Sequence, residues 1–264
     1  MSFKNKIVWI TGASSGIGKA LAIELHKQQA KLILSSRNRE KLYELKQYLK
    51  SNPLDIHILP LDLEDKENLP SKAAEAWKIY GNIDILIHSG GISQRSSAIE
   101  TNIKVEEKIF NTNYWGTVIL SKALLPKMIE KNSGQLVIIS SLVGKFGTAN
   151  RSSYAASKHA LHGYFDSLRS EVYDKGIDIS IICPGYIHTS VSENAVTGEG
   201  LRYNIMDENQ KNGISARDCA IKILSAIDNK KEEVIIAGKE KYGLMLKRFF
   251  PSYFSKMIRK RKIV

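Results

Sequence analysis

Short runs of aliphatic and β-branched residues alternate along this chain with longer stretches whose apolar positions recur every three or four residues. The runs at 6–11, 31–36, 55–61, 83–88, 134–140, 177–183 and 233–237 read as strands. Within them apolar residues follow one another with little polar alternation, as in strands covered by helices on both faces. Between them, 16–29, 38–50, 65–80, 103–131, 153–175 and 215–228 read as helices. Strand and helix in strict turn predict stacked βαβ units, hence a doubly wound α/β fold with a seven-stranded parallel sheet. Asn132-Ser133-Gly134 and Lys175-Gly176 read as helix stops. Residues 189–213 break the rhythm with Ser, Asn, Gly and Glu and few large apolar groups, so a lid or binding loop is expected there.

Composition narrows the class. The chain has 264 residues, 43% of them hydrophobic, enough for one well-filled core. No repeat or linker divides it, so 1–240 is expected to be one dinucleotide-binding and catalytic domain, with 241–264 as its extension. The first strand starts at about Lys6, so neither a signal peptide nor an N-terminal anchor is expected. Cys183 and Cys219 are too few for a disulfide framework, which makes the cytoplasm the default. Six scattered histidines show no metal-ligand spacing, and no metal site is expected. The net charge is +12, but nine Lys/Arg against one Glu lie within 239–264, leaving +4 elsewhere. A basic end without a basic recognition face argues against nucleic acid.

After the first strand comes Thr11-Gly12-Ala13-Ser14-Ser15-Gly16-Ile17-Gly18, running directly into a helix. Strand, glycine turn and helix are what a pyrophosphate cradle needs, since backbone amides approach the phosphates and the helix start favours their charge. A Rossmann-type domain is therefore expected, its crevice at the carboxyl edge of the sheet. The second strand ends in Ser36, Arg37 and Asn38, where a ribose-binding acid would mark NAD. Arg37 with hydroxyls at Ser36 and Ser15 suits a 2′-phosphate, so NADP(H) is the expected cofactor; the plainer reading of Arg37 is a surface cap. Asp62 and Leu63 follow the third strand, with Asp62 as the adenine acceptor. Ser89, Gly90 and Gly91 follow the fourth, where a cofactor lies across the sheet.

Tyr154 and Lys158 stand four residues apart, thirteen after Ser141. On a helix that spacing puts phenol and ammonium on one face. The ammonium would favour the phenolate, and Ser141 would hydrogen-bond the same carbonyl oxygen. That is the chemistry of a ketone/alcohol oxidoreductase. Taken singly, each residue reads more simply as packing, a solvated stem or a strand end.

In this order the motifs resemble the short-chain dehydrogenase/reductase family over nearly the whole chain. Thr11–Gly18 is similar to its TGxxxGxG turn, Ser141, Tyr154 and Lys158 to its catalytic triplet, and Pro184, Gly185 and Thr189 to its PGxxxT motif. Asn113 falls where the family has its fourth catalytic residue. His88-Ser89-Gly90-Gly91 departs from the family's NNAG. The segments 91–96, 156–161 and 192–194 look most like the dehydrogenase/reductase member seven group, similar to the 11β-hydroxysteroid dehydrogenase type. The resemblance implies proton donation by Tyr154, ribose binding by Lys158, and a kink and water relay at Asn113. It also implies carboxamide contacts from Ile187 and Thr189, a lipophilic carbonyl substrate such as a steroid, retinoid or xenobiotic ketone, and a homodimer or homotetramer.

Two other functions are weighed against that one: a 3-oxoacyl thioester reductase, and a non-catalytic NADP(H)-binding sensor or interaction protein. The tail interleaves Tyr242, Leu244, Leu246, Phe249, Phe250, Tyr253 and Phe254 with cations, and Pro251 should divide it into two helices. Such a tail suits peripheral membrane contact; the plainer reading is that it covers the substrate pocket or a subunit interface.

Overall fold

A computed structural model describes residues 3–50, 52 and 54–260. Arg261 and Lys262, the end of the basic run, lie outside them. The chain runs β1 (Ile7–Thr11), α1 (Gly16–Lys27), β2 (Lys31–Ser35), α2 (Arg39–Leu49), β3 (Ile56–Ile58), α3 (Leu69–Tyr80), β4 (Ile85–His88), α4 (Ile103–Phe110), α5 (Gly116–Glu130) and β5 (Gly134–Ile139). It continues through α6 (Ser152–Glu171), β6 (Ile177–Pro184), β7 (Ile187–His188), α7 (Glu208–Lys211), β8 (Ile214–Ser215), α8 (Ala216–Asp228), β9 (Glu233–Ile236), α9 (Tyr242–Phe249) and α10 (Pro251–Lys260). Seven strands form one parallel sheet in the order β3-β2-β1-β4-β5-β6-β9. Strand order reverses beside β1, which opens a crevice at the carboxyl edge between β1 and β4.

The uninterrupted apolar strands still alternate in destination, because successive side chains point to opposite faces. Val8, Ile10, Leu32, Leu34, Ile87 and Val137 pack with Leu21, Leu25, Ile223 and Ile227 on one side. Trp9, Ile33, Leu86, Leu136, Ile138 and Ile181 pack with Leu120, Leu124, Leu161 and Phe165 on the other. The indole of the buried Trp9 donates to Ser35 Oγ at 2.8 Å, so its polar atom is satisfied inside the core.

Asn132 (φ 51°) and Gly176 (φ 66°) both turn left-handed; the first stands just past the end of α5, as expected, whereas the second lies five residues beyond the end of α6. Three helices differ in extent. The expected 65–80 helix begins at Leu69 with Pro70 in its first turn, where a missing N–H costs nothing. The expected 153–175 helix ends at Glu171. The expected 103–131 helix is interrupted by a π-helical turn at Asn111–Trp115 between α4 and α5.

Segment 189–213 is not a free loop. Val196 bridges to Gln94 and to Arg202, and β7 pairs with β8. The tail forms two helices divided at Pro251. Phe254 is buried against Leu142 and Phe146, with its ring 5.3 Å from that of Phe146. Among the described residues no helix is long and apolar enough to cross a membrane.

Candidate active site

A cleft of about 560 Å³ lies along the carboxyl edge of the sheet. Backbone builds one end. Gly12 holds φ +68°, and a Cβ there would stand 2.6 Å from Gly90 N, so glycine is required on both conformational and steric grounds. Ser14, Ser15, Gly16 and Ile17 line the cleft at the start of α1, whose first turn has neither a side-chain cap nor an acid. Amides left open on a helix start facing a glycine-lined wall fit a pyrophosphate. Gly18 does not line the cleft: a side chain there would strike the Gly12 carbonyl, so its part is to let the helix close on the turn.

After β2 the lining residues are Ser36, Arg37, Asn38 and Lys41, none of them acidic. Asn38 Oδ1 caps α2 by accepting from Lys41 N at 2.9 Å, which fixes the turn carrying the cations. Asp62 and Leu63 continue this wall, and Ser89, Gly90 and Gly91 cross beneath it. Gly90 N donates to Thr11 Oγ1 at 3.4 Å, so the HSGG departure keeps β4 tied to the glycine turn. His88 is buried, with Nε2 2.8 Å from Ser121 Oγ, and burial pushes its pKa down to about 3, with the Lys158 charge as the next cause. It is a neutral structural group.

The opposite wall comes from α6 and the turn after β5. Lys158 Nζ lies 5.8 Å from the centre of the Tyr154 ring and donates to the Ile139 carbonyl at 2.8 Å. Ser141, Tyr154, Lys158, Pro184, Gly185, Ile187 and Thr189 all reach the cleft. Thr189 faces Gly16 across it: a Cβ on Gly16 would meet the threonine methyl at 3.3 Å. Burial lowers the Lys158 pKa to about 8. Burial also raises that of Tyr154, opposed by the Ser141 hydroxyl and then by Arg151 and Arg95. The expected downward shift of the phenol by Lys158 is therefore not what this geometry produces. The nearby charges that favour the phenolate are the two arginines.

Asn113 does not line the cleft either. It is fully buried in the π-helical turn, accepting from Ile92 N at 2.8 Å and donating to Ile92 O and Ser157 Oγ, each at 3.0 Å. Its carbonyl accepts from Thr117 Oγ1 at 2.9 Å. It thus clamps the loop after β4 onto the helix that carries Tyr154. A side chain at Gly91 would meet both Asn113 Oδ1 (3.1 Å) and Lys158 Nζ (3.6 Å), so amide and ammonium converge on one glycine.

Several lining or bracing residues carry no local motif. Lys41 joins Arg37. Gln94 Oε1 accepts from Ser153 N and Tyr154 N (2.9 and 3.4 Å) at the start of α6. Arg95 and Arg151 both bind Asp207, which lies 112 and 56 residues away in sequence. Behind β6, His162, Cys183 and Glu233 bring ligand-type atoms within 4.8 Å of one another, a cluster that spacing did not reveal. Cys183 Sγ approaches Nε2 and Glu233 approaches Nδ1, on opposite sides of the ring. Burial raises the thiol pKa to about 12.

The comparisons with known proteins decide the family. Residues 6–200 match the model for short chain dehydrogenase. The chain belongs to the short-chain dehydrogenase/reductase family. Its relatives include dehydrogenase/reductase SDR family member 7B of Danio rerio, 38% identical over 98% of this chain and 86% of the relative. That of Bos taurus is 40% identical over 98% and 82%. The match supports the member seven group. A short-chain dehydrogenase from Streptomyces avermitilis superposes with TM-score 0.81 at 26% identity, over 97% of this chain and 96% of that one. Two Burkholderia family structures share the fold at 19% identity. The one from Burkholderia phymatum is complexed with NAD (TM-score 0.84, over 100% of this chain and 98% of that one). The one from Burkholderia cenocepacia is complexed with NADP (0.81, over 99% and 100%). The glycine wall of this cleft fits a pyrophosphate of the kind both dinucleotides carry.

Proposed function

We propose that this chain is an NADP(H)-dependent oxidoreductase acting on a lipophilic carbonyl or secondary alcohol, with Tyr154 as the proton donor. The observation that carries it is the pairing of the two walls. Tyr154, Ser141 and Lys158 face a glycine cradle whose adenosine end bears Arg37 and Lys41, with no acid among the lining residues that follow β2. The cofactor supplies hydride chemistry when bound. Gly12 to Ile17 bind the pyrophosphate, Arg37 and Lys41 the 2′-phosphate, Asp62 the adenine, and Ile187 with Thr189 the carboxamide. Ser141 orients the carbonyl oxygen, Tyr154 gives it a proton, and Lys158 holds the ribose and returns a proton to the phenol. Asn113 keeps the Lys158 side of this arrangement rigid.

The substrate end favours an apolar ketone. Leu142, Val143, Phe146, Val191, Val196, Phe254, Met257 and Ile258 line it, as do Arg95, Arg151 and Arg202. On the outer side of the tail Tyr242, Met245, Phe249, Phe250 and Tyr253 are exposed beside Lys247, Arg248 and Lys256. The reading therefore includes a cytoplasmic homo-oligomer, paired through α5 and α6, that rests on a membrane surface by α9 and α10.

NADPH and NADH fluorescence titrations, followed by turnover on a panel of steroid, retinal and aromatic ketones with Tyr154→Phe as control, test the proposal. Tight NADPH binding with turnover lost in Tyr154→Phe is expected. Tight binding without turnover on any ketone would favour the sensor or an acyl thioester substrate, and preference for NADH would refute the role given to Arg37.

A further inference from the structure

Asp207 lies just before α7, near the end of the 189–213 segment, and is 3% exposed. Its Oδ1 accepts from Arg95 Nε at 3.3 Å. Its Oδ2 accepts from Arg95 Nη2 at 2.5 Å and Arg151 Nη2 at 2.9 Å. Three segments meet at this one carboxylate. Arg95 belongs to the loop after β4, and Arg151 is the residue before α6, three positions ahead of Tyr154. Asp207 is itself held by its amide, which donates to Ser192 Oγ at 3.1 Å. Arg95 is bound further by Ser93 Oγ (2.8 Å) and the Gln94 carbonyl (2.7 Å). Among the described residues the Arg151 guanidinium is bound by Asp207 alone, and its buried Nε has no partner.

The charges do not balance. Two guanidiniums, with side chains 6% and 10% exposed, share one carboxylate at 2%. A charge buried without its partner is expensive, so the carboxylate is needed wherever the two arginines are packed together. Their residual positive charge lies in the cleft wall beside the phenol, and both arginines favour the phenolate.

We propose that Asp207 is a positioning residue: from the 189–213 segment it clamps Arg95 and Arg151 at the start of α6 and offsets part of their charge. Closing that segment and setting the charge around the Tyr154 phenol are then one event. The inference rests on the reading of Tyr154 as proton donor. The charged groups acting on the phenol are Arg151, just before α6, and Arg95 from the loop after β4, with Lys158 of α6 5.8 Å from the ring; Asp207 and the Tyr186 phenol act in turn on Arg151. The Ser141 hydroxyl faces it without charge.

The signs of two substitutions differ, which separates this role from mere support. Alcohol oxidation needs the phenolate, so its rate rises with pH through the phenol's titration. Asp207→Asn leaves more positive charge beside the phenol, and the limb should move to lower pH by about one unit. Arg151→Gln removes positive charge, and the limb should move to higher pH. Asp207→Glu should restore the wild-type profile, and dinucleotide affinity should stay within about twofold in all three variants, which also certifies folding. Hydrogen exchange across 189–213 should quicken in Asp207→Asn. Shifts in the same direction for both variants, no shift at all, or unchanged exchange in the lid would overturn the inference. Turnover that survives Tyr154→Phe would instead sink the underlying reading of the reaction. If Asp207→Asn does not fold, the opposed pair Arg151→Gln and Asp207→Glu decides.

Discussion

The two ends of the cleft are made of different material. At the cofactor end the surface is backbone: a left-handed Gly12, a first turn of α1 without a side-chain cap, and glycines packed against one another across β1 and β4. At the proposed substrate end it is side chains from distant segments: Phe146 after β5, Val196 in the 189–213 segment, Phe254 on the tail. Backbone surfaces tolerate almost no added atoms, because neither a φ value nor a main-chain contact can move aside. Side-chain surfaces give by rotamer changes. A single methyl should therefore destroy function at one end, while much larger changes only retune the other.

The largest effect falls where the ends meet. Lys158→Met should cut turnover by about 10²–10⁴-fold, the usual contribution of a proton-transfer group. The same substitution should raise the melting temperature. Burial lowers the Lys158 pKa from 10.5 to about 8, so below pH 8 the folded state holds a desolvated charge that the unfolded state carries at no penalty. The sign follows: stability of the wild type should rise as pH climbs from 8 towards 10.5, as the folded lysine neutralises first. Melting curves at pH 7 and pH 10 check this. The gap between variant and wild type should be of order 2 kcal/mol at pH 7 and shrink at pH 10.

Gly12→Ala comes next and breaks the comparison if it is benign. The new Cβ would stand 2.6 Å from Gly90 N at φ +68°, so β1 and β4 must part. Dinucleotide affinity should fall by about 100-fold, roughly 3 kcal/mol, within the range of overpacking. Isothermal titration reads it directly. Affinity within a few-fold of wild type would mean that the cradle is not held by backbone contact.

The same contrast explains what could be read from the sequence. The seven strands of the main sheet and the Tyr154–Lys158 face were legible because each depends on local spacing. The glycine turn was legible for the same reason, although Gly18 turned out to pack rather than line. Asn113 was placed by resemblance, yet its work is to brace Ile92 and Ser157, which no local pattern states. Arg95 and Arg151 carry no local motif, and only the fold brings Asp207 to them across 112 and 56 residues. The direction of the Tyr154 shift was misread because desolvation depends on the packed wall, which outweighs a charge inferred from helical spacing. The π-helical turn at 111–115 has no signature in apolar periodicity. Gly116 within the following turn approaches Leu63, and a Cβ there would stand 2.6 Å from the Leu63 carbonyl.

Arg37→Gln sharpens the cofactor end by separating charge from cradle. The glycines hold pyrophosphate for either dinucleotide, whereas only the 2′-phosphate meets Arg37 and Lys41 in the proposed arrangement. NADPH affinity should fall about tenfold, and NADH affinity should stay within about twofold, since one charge-assisted contact contributes roughly 1.5 kcal/mol. Equal losses for both dinucleotides would assign Arg37 to the structure of the turn. With Lys41 retained the loss should be partial, and removing both should exceed either alone.

The smallest effect is predicted for Phe254→Ala. The ring is 6% exposed, packs edge-on to Phe146, and belongs to a small cluster that adds to neither face of the main sheet. Truncating it opens the far end of the cleft, so KM for an apolar ketone should rise about three- to tenfold while kcat and dinucleotide affinity hold. The stability loss should be about 2 kcal/mol or less, below the usual range for a core Phe→Ala, because the satellite cluster can relax. Phe254→Leu should recover most of the KM, since volume rather than ring chemistry fills the site. A fall in kcat equal to the rise in KM would show that the tail positions the reacting carbonyl, and the division between a rigid cofactor end and an adjustable substrate end would then fail at α10.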